Sequence, residues 1–149
     1  MADRSIEFIA RGLAVRGGRV LLCKNVKHGY YFLPGGHVEF GETAQAAIIR
    51  EMKEEAGVIA KCEEVALVAE HIFERVKRPC HEVNVVFHVE LPDEAIDSRE
   101  SKIAFEWADF AQITDLDFRP GCIKAWLIAG GRISKPISWV SERVLHVEH

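Results

Sequence analysis

Several features that mark particular classes of protein are scarce or absent in this chain of 149 residues. No run approaches the roughly 18 consecutive apolar residues that a membrane span needs. Basic residues are outnumbered by acidic ones, 19 to 23, so the chain lacks the basic excess of proteins that bind a nucleic-acid duplex. The net charge of −4 still allows a small phosphorylated ligand, provided that a metal cation lies between its phosphates and the protein's carboxylates.

Cysteine is also sparse, and its spacing excludes a second set of classes. The four cysteines are Cys23, Cys62, Cys80 and Cys122, and none belongs to a C-x-x-C pair. We therefore expect reduced thiols rather than a disulfide scaffold. The first residues carry charges where a secretory signal needs an apolar stretch, which predicts a cytoplasmic protein.

The composition that remains is that of an ordinary globular domain. Hydrophobic residues make up 48% of the chain and charged residues 28%, enough apolar surface to offset the entropy lost on folding. We find no internal repeat, low-complexity tract or long linker. The length predicts one domain over residues 1–149, because two complete hydrophobic cores need a longer chain.

Strands dominate the predicted secondary structure of the first third of the chain. Two apolar runs, Ile6–Val15 and Arg19–Cys23, flank Gly17 and Gly18 and predict a β-hairpin. A short strand at Tyr30–Leu33 is expected to stop at the Pro-Gly-Gly sequence that follows. Later strand-like runs, one of them alternating with a period of two, lie at about Glu64–Val76, His81–Leu91 and Ile103–Trp107.

Two helices interrupt these strands. The clearer one is predicted over Thr43–Ala56, since its first residue can cap it and Gly57 can close it in the left-handed conformation. Pro120 predicts the start of a second helix that runs to the glycine pair at 130–131. Ile137–Val140 fits an edge strand or an ordered tail. This order favours an α+β fold with one mixed or antiparallel sheet and helices packed on its faces.

The first helix carries an unusual group of acidic residues. On a helical wheel, Ala44, Ile48, Ile49, Met52 and Ala56 form an apolar arc. Glu55 falls inside this arc, and Glu51 and Glu54 follow along one flank of the helix.

A solvated acidic face is the simplest interpretation of this group, but three physical costs argue against it. Like charges at these spacings repel by about 0.2–0.5 kcal/mol per pair. The helix dipole disfavours negative charge near the C-terminus, and an unpaired carboxylate among apolar neighbours is expensive. A divalent cation such as Mg²⁺ would offset all three costs, so metal binding is the alternative.

The segment from Gly36 to Val58 resembles the Nudix box, G-x5-E-x7-R-E-U-x-E-E-x-G-U, in which U is a bulky aliphatic residue. The nine specified positions all match, with Gly36, Glu42, Arg50, Glu51, Met52, Glu54, Glu55, Gly57 and Val58. The resemblance implies a Nudix-type α/β/α sandwich, in which a mixed β-sheet lies between helices and the box forms a loop–helix–loop.

The resemblance also implies roles for the residues of the box. The expected ligands of Mg²⁺, or of Mn²⁺ as a substitute, are the Gly35 carbonyl and the carboxylates of Glu51, Glu54 and Glu55. Arg50 is similar to the family arginine that orients a box glutamate. The expected supporting residues are Gly36, Glu42 and Gly57.

The reaction implied by the resemblance is hydrolysis of a phosphoanhydride in a nucleoside triphosphate, or in a nucleoside diphosphate linked to another moiety. Water attacks phosphorus while a carboxylate accepts its proton. Family members differ in the position of this base, so Glu51 and Glu54 are both candidates. Glu100, in the polar stretch Pro92–Lys102, is a third candidate, and a solvated loop charge is its alternative interpretation.

The substrate pocket is less constrained by the sequence. Tyr30 and Tyr31 are the preferred candidates for stacking on a base, Phe73 is another aromatic candidate, and Phe32 is better explained as a core residue. His37, within the box, is a further candidate for substrate contact. We expect a small nucleotide-type substrate of the broad MutT-like group, and a monomer or homodimer. A non-catalytic Nudix-like nucleotide sensor and a diphosphate isomerase are the alternative functions.

Overall fold

The structure, a computed structural model, describes residues 4–92, 96–130 and 136–148. The strands within these ranges are β1 (Glu7–Leu13), β2 (Val15–Arg16), β3 (Arg19–Asn25), β4 (Tyr31–Phe32), β5 (Gly35–His37), β6 (Lys61–Arg75), β7 (Arg78–Glu90), β8 (Ile103–Asp109) and β9 (Ser138–Glu148). The helices are α1 (Ala44–Ala56) and α2 (Gly121–Ile128), and a 3₁₀ helix at Phe110–Asp115 precedes α2.

The strands form two sheets. The larger sheet is mixed, with the order β5-β1-β7-β6-β9, and its parallel pairs are β1 with β7 and β6 with β9. In the smaller sheet β2, β4 and β8 all pair antiparallel with β3. The α+β class with a mixed sheet is confirmed, whereas the prediction of a single sheet is wrong.

The two helices lie on opposite faces of the larger sheet. Successive residues of a strand point to opposite faces, so neighbouring residues of β7 enter different cores. Val86 packs in one core with Leu127 of α2, and Phe87 packs in the other with Met52 of α1. The sheet therefore separates two apolar clusters, as an α/β/α sandwich requires.

The second sheet arises from a break in the first apolar run. The hairpin at Gly17 and Gly18 is confirmed, since both glycines have positive φ and Val15 pairs with Val20. The run Ile6–Val15, however, is divided between β1 in the larger sheet and β2 in the smaller one. Both parts are apolar, so composition gave no sign of the division.

The helix α1 begins and ends as its sequence predicts. The Thr43 hydroxyl accepts a hydrogen bond from the Ala46 amide at 3.1 Å, and Gly57 closes the helix with a φ of 66°. The buried face is rotated from the predicted one, because Ala47 is buried while Ile49 is 37% exposed. The buried face therefore extends, through Ala47, toward the flank that carries the acidic residues.

A third difference concerns the segment after β4. The Pro-Gly-Gly sequence does not remain a loop, because Gly35–His37 forms β5 and pairs antiparallel with β1. A side chain at Gly35 would collide with the Ala10 carbonyl, and its φ of 145° is rarely adopted by other residues. Glycine therefore permits the close pairing that brings this segment against the sheet.

Two predicted elements of the C-terminal half are present, although the 3₁₀ helix at Phe110–Asp115 was not predicted and β9 runs beyond Val140 to Glu148. The second helix begins at Gly121, directly after Pro120, and Gly130 follows it with a φ of 83°; residue 131 lies outside the described ranges. Of the two interpretations of Ile137–Val140, the edge strand is confirmed, because β9 runs parallel to β6 at the edge of the larger sheet. None of the helices among the described residues is long and apolar enough to cross a membrane.

Candidate active site

Arg50 of α1 joins the loop before the helix to the acidic residues on the helix. Its Nε and Nη2 donate to the two carboxylate oxygens of Glu42, at 2.7 and 3.0 Å. Its Nη1 donates to Glu51 at 3.0 Å and to Glu54 at 3.3 Å. Nη2 also donates to the His37 carbonyl at 3.1 Å. A planar guanidinium can hold several acceptors in fixed directions, so Arg50 orients the box.

The contact between Arg50 and Glu42 is electrostatically balanced. Hydrogen bonds from Arg50 and from the Glu39 amide lower the pKa of Glu42 below its ordinary value. The same contact with Glu42 raises the pKa of Arg50. Both groups therefore stay charged at neutral pH, and the pair needs no further ligand.

Glu51 lies against the strand β5. Its side chain is only 14% exposed. A Cβ atom at Gly36 would lie 2.6 Å from the Glu51 carboxyl carbon, far inside contact distance. The absence of a side chain at Gly36 thus makes the space that the Glu51 carboxylate occupies, which explains the glycine at this position of the box.

Glu55 is half-buried beside Glu51 and has little compensating charge. Its burial, together with the charge and hydrogen bond of Glu51, raises the pKa of Glu55 to about 8. Arg11 on β1 opposes this shift but does not cancel it. At neutral pH, and with no cation bound, the carboxyl of Glu55 therefore retains a proton in much of the population.

Glu54 differs from its two neighbours. Its side chain is 59% exposed and contacts Arg50. Among the residues that the structure describes, no three His, Cys, Asp or Glu side chains converge as a ready-made metal cage. Mg²⁺ is nevertheless commonly held by one or two carboxylates, with water and phosphate oxygens as the remaining ligands. The Glu51–Glu55 pair, with Glu54 beside it, fits a hard divalent cation by its all-oxygen donor set.

The loop before β8 packs against the C-terminal end of α1. The Arg99 amide donates to the Glu55 carbonyl at 2.7 Å, and the Arg99 side chain covers Gly57, where a Cβ would collide with it. The Ser98 hydroxyl holds the loop by donating to the Glu100 carbonyl at 2.7 Å. The charge of Glu100 contributes to the raised pKa of Glu55, so Glu100 lies near the acidic pair.

A cavity of about 120 Å³ is lined in part by Arg11, the residue whose positive charge acts on Glu55. Its lining includes three aromatic rings, each with a guanidinium over it, and we call it the aromatic–arginine cavity. The pairs are Arg119 with Tyr30 (4.4 Å to the ring centroid), Arg11 with Phe32 (5.7 Å) and Arg75 with Phe73 (5.9 Å). Such surfaces favour planar ligands with negative charge.

One wall of this cavity, formed by His71 and Phe73 of β6, is supported by residues of β9 and α2. The buried ring of His71 stacks on Phe73, with the centroids 4.2 Å apart, and its Nδ1 lies 3.1 Å from a Glu142 carboxylate oxygen. Glu142 of β9 also accepts a hydrogen bond from the Cys122 amide at the start of α2. The wall is therefore held by β6, β9 and α2 together.

The structure separates the predicted substrate residues. Tyr30 lines the aromatic–arginine cavity, but Tyr31 points to the other face of its strand, where its hydroxyl donates to Glu106 at 2.8 Å. His37 is exposed, with its Nε2 3.2 Å from a Glu7 carboxylate oxygen. The structure therefore does not bring Tyr31 and His37 into the cavity.

Phe32 and Phe73 both line the cavity. The prediction that Phe32 is a core residue is wrong, because its ring is half-buried and Arg11 lies over it. Phe32 follows Tyr31 in the chain, and neighbours in a strand point in opposite directions. The pair therefore cannot serve one pocket together.

Sequence reasoning missed the charged residues of the cavity. Arg11 interrupts an otherwise apolar stretch of β1, and a lone arginine in such a stretch is a signal that could have drawn attention to it. His71, Glu82 and Arg119 also line the cavity. The sequence around each of them gives no indication of a shared cavity, because they are far from Arg11 in the chain.

Comparison with known proteins gives matches over different lengths. The ADP-ribose pyrophosphatase of Methanocaldococcus jannaschii is 45% identical over 53 residues, which cover 34% of this chain and 31% of that protein. Other curated relatives match over similarly short segments, so the chain spans about a third of the length of the first curated relatives it matches.

The solved structures match over much more of the fold. The MutT protein of Bacillus halodurans superposes with a TM-score of 0.75 at 18% identity, covering 93% of this chain and 91% of that chain. The MutT protein of Methanosarcina mazei gives 0.73 at 19% identity, covering 91% and 100%. The NUDIX domain family matches residues 7–127, which include the whole segment from Gly36 to Val58. This chain therefore belongs to the NUDIX domain family.

Proposed function

We propose that this protein hydrolyses a phosphoanhydride bond in a nucleoside triphosphate, or in a nucleoside diphosphate linked to another moiety, with Mg²⁺ as cofactor. The observation that carries the proposal is the Glu51–Glu55 pair, in which Glu55 is half-buried with little opposite charge and senses the charge of Arg11, a residue that lines the aromatic–arginine cavity. The pyrophosphatase activity in the name of the M. jannaschii relative is consistent with this reaction.

The acidic residues would have different parts in the reaction. A divalent cation at the Glu51–Glu55 pair would neutralise phosphate oxygens and lower the pKa of a bound water. Arg50 holds Glu51 in position through the hydrogen bond at 3.0 Å, and Gly36 leaves room for that carboxylate. Glu51 and Gly35 are proposed as ligands together with Glu54 and Glu55.

The proton of the attacking water needs an acceptor near the acidic pair. Glu54 is 59% exposed and is held by Arg50 only through one long hydrogen bond of 3.3 Å, so its carboxylate is our first candidate for this base. Glu51 is the second, although Arg50 holds one of its oxygens, and Glu100 is the third. As the water oxygen bonds to phosphorus, the bridging P–O bond breaks, which releases a nucleoside monophosphate and a second phosphorylated product.

The cavity supports a nucleotide rather than a simple polyphosphate as substrate. Arg119 stacks on Tyr30, and His71 stacks on Phe73, so the lining contains two stacked pairs from distant parts of the chain. Nucleobases stack on aromatic rings and on guanidinium planes, with about 1–3 kcal/mol per base from an aromatic contact. The base would lie here, with its phosphates directed toward α1.

A hydrolysis screen tests this proposal. The purified protein would be incubated with Mg²⁺ and, separately, with EDTA, on nucleoside triphosphates, nucleotide sugars, ADP-ribose and dinucleoside polyphosphates. Mass spectrometry in ¹⁸O-labelled water would identify the products and the phosphorus that water attacked. We expect hydrolysis that depends on Mg²⁺, or on Mn²⁺ in its place. Ligand binding without turnover would favour a sensor, and an isomerised product would favour an isomerase.

A further inference from the structure

Arg11 is held in one orientation by contacts on three sides. Its Nε donates to the Asn84 side-chain oxygen at 3.1 Å, and its Nη1 donates to the Leu33 carbonyl at 3.1 Å. Its guanidinium lies 5.7 Å from the centroid of the Phe32 ring. Asn84 is itself fully buried, so the support is rigid. A guanidinium held in this way loses little further entropy when it binds a ligand.

Arg11 also connects the aromatic–arginine cavity with the acidic residues of α1. Arg11 lines the aromatic–arginine cavity, and its positive charge also acts on Glu55 and Cys23 beside the acidic site. In the described part of the chain, its Nη2 has no hydrogen-bond acceptor. Arg11 therefore combines an unused donor with a place in the cavity lining and an effect of its charge on Glu55.

The other two arginines of the cavity are placed differently. Arg119 is already paired with Asp117, through bonds of 3.2 and 3.0 Å, which compensates its charge. Arg75 is exposed, stacks on Phe73 and acts on Cys80 at the start of β7. Neither combines an anchored guanidinium with an effect on the acidic pair in the way that Arg11 does.

We propose that Arg11 binds the phosphate group nearest the nucleoside and thereby makes the site select nucleotides over nucleosides. The proposal rests on the proposed function, since it assumes that the cavity holds the base and α1 the reacting phosphates. Because Arg11 both lines the cavity and acts on Glu55, a phosphate that connects these two places would lie within reach of its free Nη2, which would donate to a phosphate oxygen. Hydrogen bonds from arginine to phosphate are charge-assisted, so they favour the charged ligand strongly.

Binding measured without metal tests this role independently of turnover. Isothermal titration in EDTA would compare four nucleosides with their 5′-monophosphates, using adenosine, guanosine, cytidine and uridine. We expect wild type to bind at least one monophosphate about tenfold or more tightly than its nucleoside, the size of a hydrogen bond between charged groups. The variant Arg11→Gln should reduce this preference to about twofold or less, because the positive charge is lost.

Two further variants separate a phosphate contact from other effects. Arg75→Gln is the matched control, since it removes another guanidinium from an aromatic ring of the same cavity. It should weaken nucleoside and monophosphate equally and leave the preference unchanged. Arg11→Lys keeps the charge but loses the fork, so it should show an intermediate preference and also serves if Arg11→Gln does not fold.

The outcomes distinguish this proposal from the proposed function. An unchanged preference in both Arg11 variants would overturn the role of Arg11, as would a wild type that binds nucleosides and monophosphates equally. A preference that Arg11→Gln abolishes would support it, even if no substrate were hydrolysed with Mg²⁺. Hydrolysis by wild type with no change of preference in the variants would support the proposed function alone.

Discussion

The carboxylates around α1 fall into two groups that differ in how their charge is balanced. Glu42 is bound by both arms of Arg50 and has a lowered pKa. Glu55 is half-buried beside another carboxylate and has a pKa raised to about 8. Two carboxylates of one short segment are thus in opposite electrostatic states, since Glu42 is paired with an arginine and Glu55 has little opposite charge.

Arg50 shows why the difference persists. Its guanidinium serves Glu42 with two bonds and Glu51 with one, so little of its charge remains for Glu55. The arginine thus fixes and partly neutralises Glu51, while Glu55 receives no hydrogen bond from it. A protein that needed only a stable helix would gain from removing this repulsion, so the imbalance is better explained by ligand binding.

Removing the charge of Glu54 or Glu55 should have the largest effect on catalytic activity. Glu54→Gln and Glu55→Gln keep the shape of the side chain and remove its charge, so we expect kcat to fall by about 100-fold or more with a cognate substrate. Glu63→Gln, which changes an exposed carboxylate on β6, is the control and should retain activity. Wild-type kcat in both helix variants would contradict the metal assignment.

Weakening the contacts of Arg50 with Glu42 and Glu51 should lower catalytic activity less, because these contacts only hold the carboxylates in position. Arg50→Lys keeps the positive charge but cannot hold Glu42 and Glu51 together, so we expect kcat to fall about 10- to 100-fold with little change in KM. Steady-state kinetics would measure both constants. An increase in KM alone would mean that Arg50 contacts the substrate directly.

Adding a divalent cation should supply Glu55 with the opposite charge that Glu42 already receives from Arg50. At saturating Mg²⁺ we expect the wild-type melting temperature to rise by about 5–10 °C, since a ligand at 100 times its Kd adds about 2.7 kcal/mol. Glu55→Gln should gain less, and the same ionic strength of Na⁺ should not replace Mg²⁺. Equal gains in wild type and variant, at every Mg²⁺ concentration, would place the metal elsewhere.

The smallest expected effect is on the pH dependence of the free energy of unfolding, to which Glu55 and Glu42 contribute with opposite signs. In EDTA, Glu55 should lower the free energy of unfolding as the pH rises from about 4.5 to about 8, because the folded protein holds this proton more tightly than the unfolded chain. Glu42 works in the opposite direction. Its lowered pKa stabilises the fold above its ordinary pKa of 4.5, and this contribution is lost in acid.

Urea unfolding of wild type and Glu55→Gln across this pH range would measure the contribution of Glu55. The variant should lose less stability toward alkaline pH, because it lacks the titrating carboxyl. Parallel curves for the two proteins would show that Glu55 titrates normally in the fold.

Elements with local signals were predicted well. Thr43 caps α1 and Gly57 closes it, and both effects depend on residues within a few positions of each other. The division of the first apolar run between two sheets was not predicted, because a buried strand has the same composition in either sheet. The buried face of α1 was predicted with the wrong centre, since Ile49 is apolar but has no core beside it.

The acidic residues of the site could be identified from sequence, but their states could not. The spacing of Glu51, Glu54 and Glu55 is enough to place them on one flank of a helix, because each residue turns the helix by a fixed angle. Their different exposure depends on β5, which packs Gly36 against Glu51 and leaves Glu54 in solvent. The contact of Glu54 with Arg50 likewise depends on rotamers that spacing does not specify.

The sequence by itself determined the helix α1, its two ends and the order of the carboxylates along it, because helical geometry converts spacing directly into position. Only the tertiary structure decided which side chains share the aromatic–arginine cavity. Arg11, Phe73 and Arg119 meet there because β1, β6 and the segment before α2 are brought together by long-range packing. Local periodicity carries no information about such contacts, since the energy that creates them comes from burying surfaces far apart in the chain.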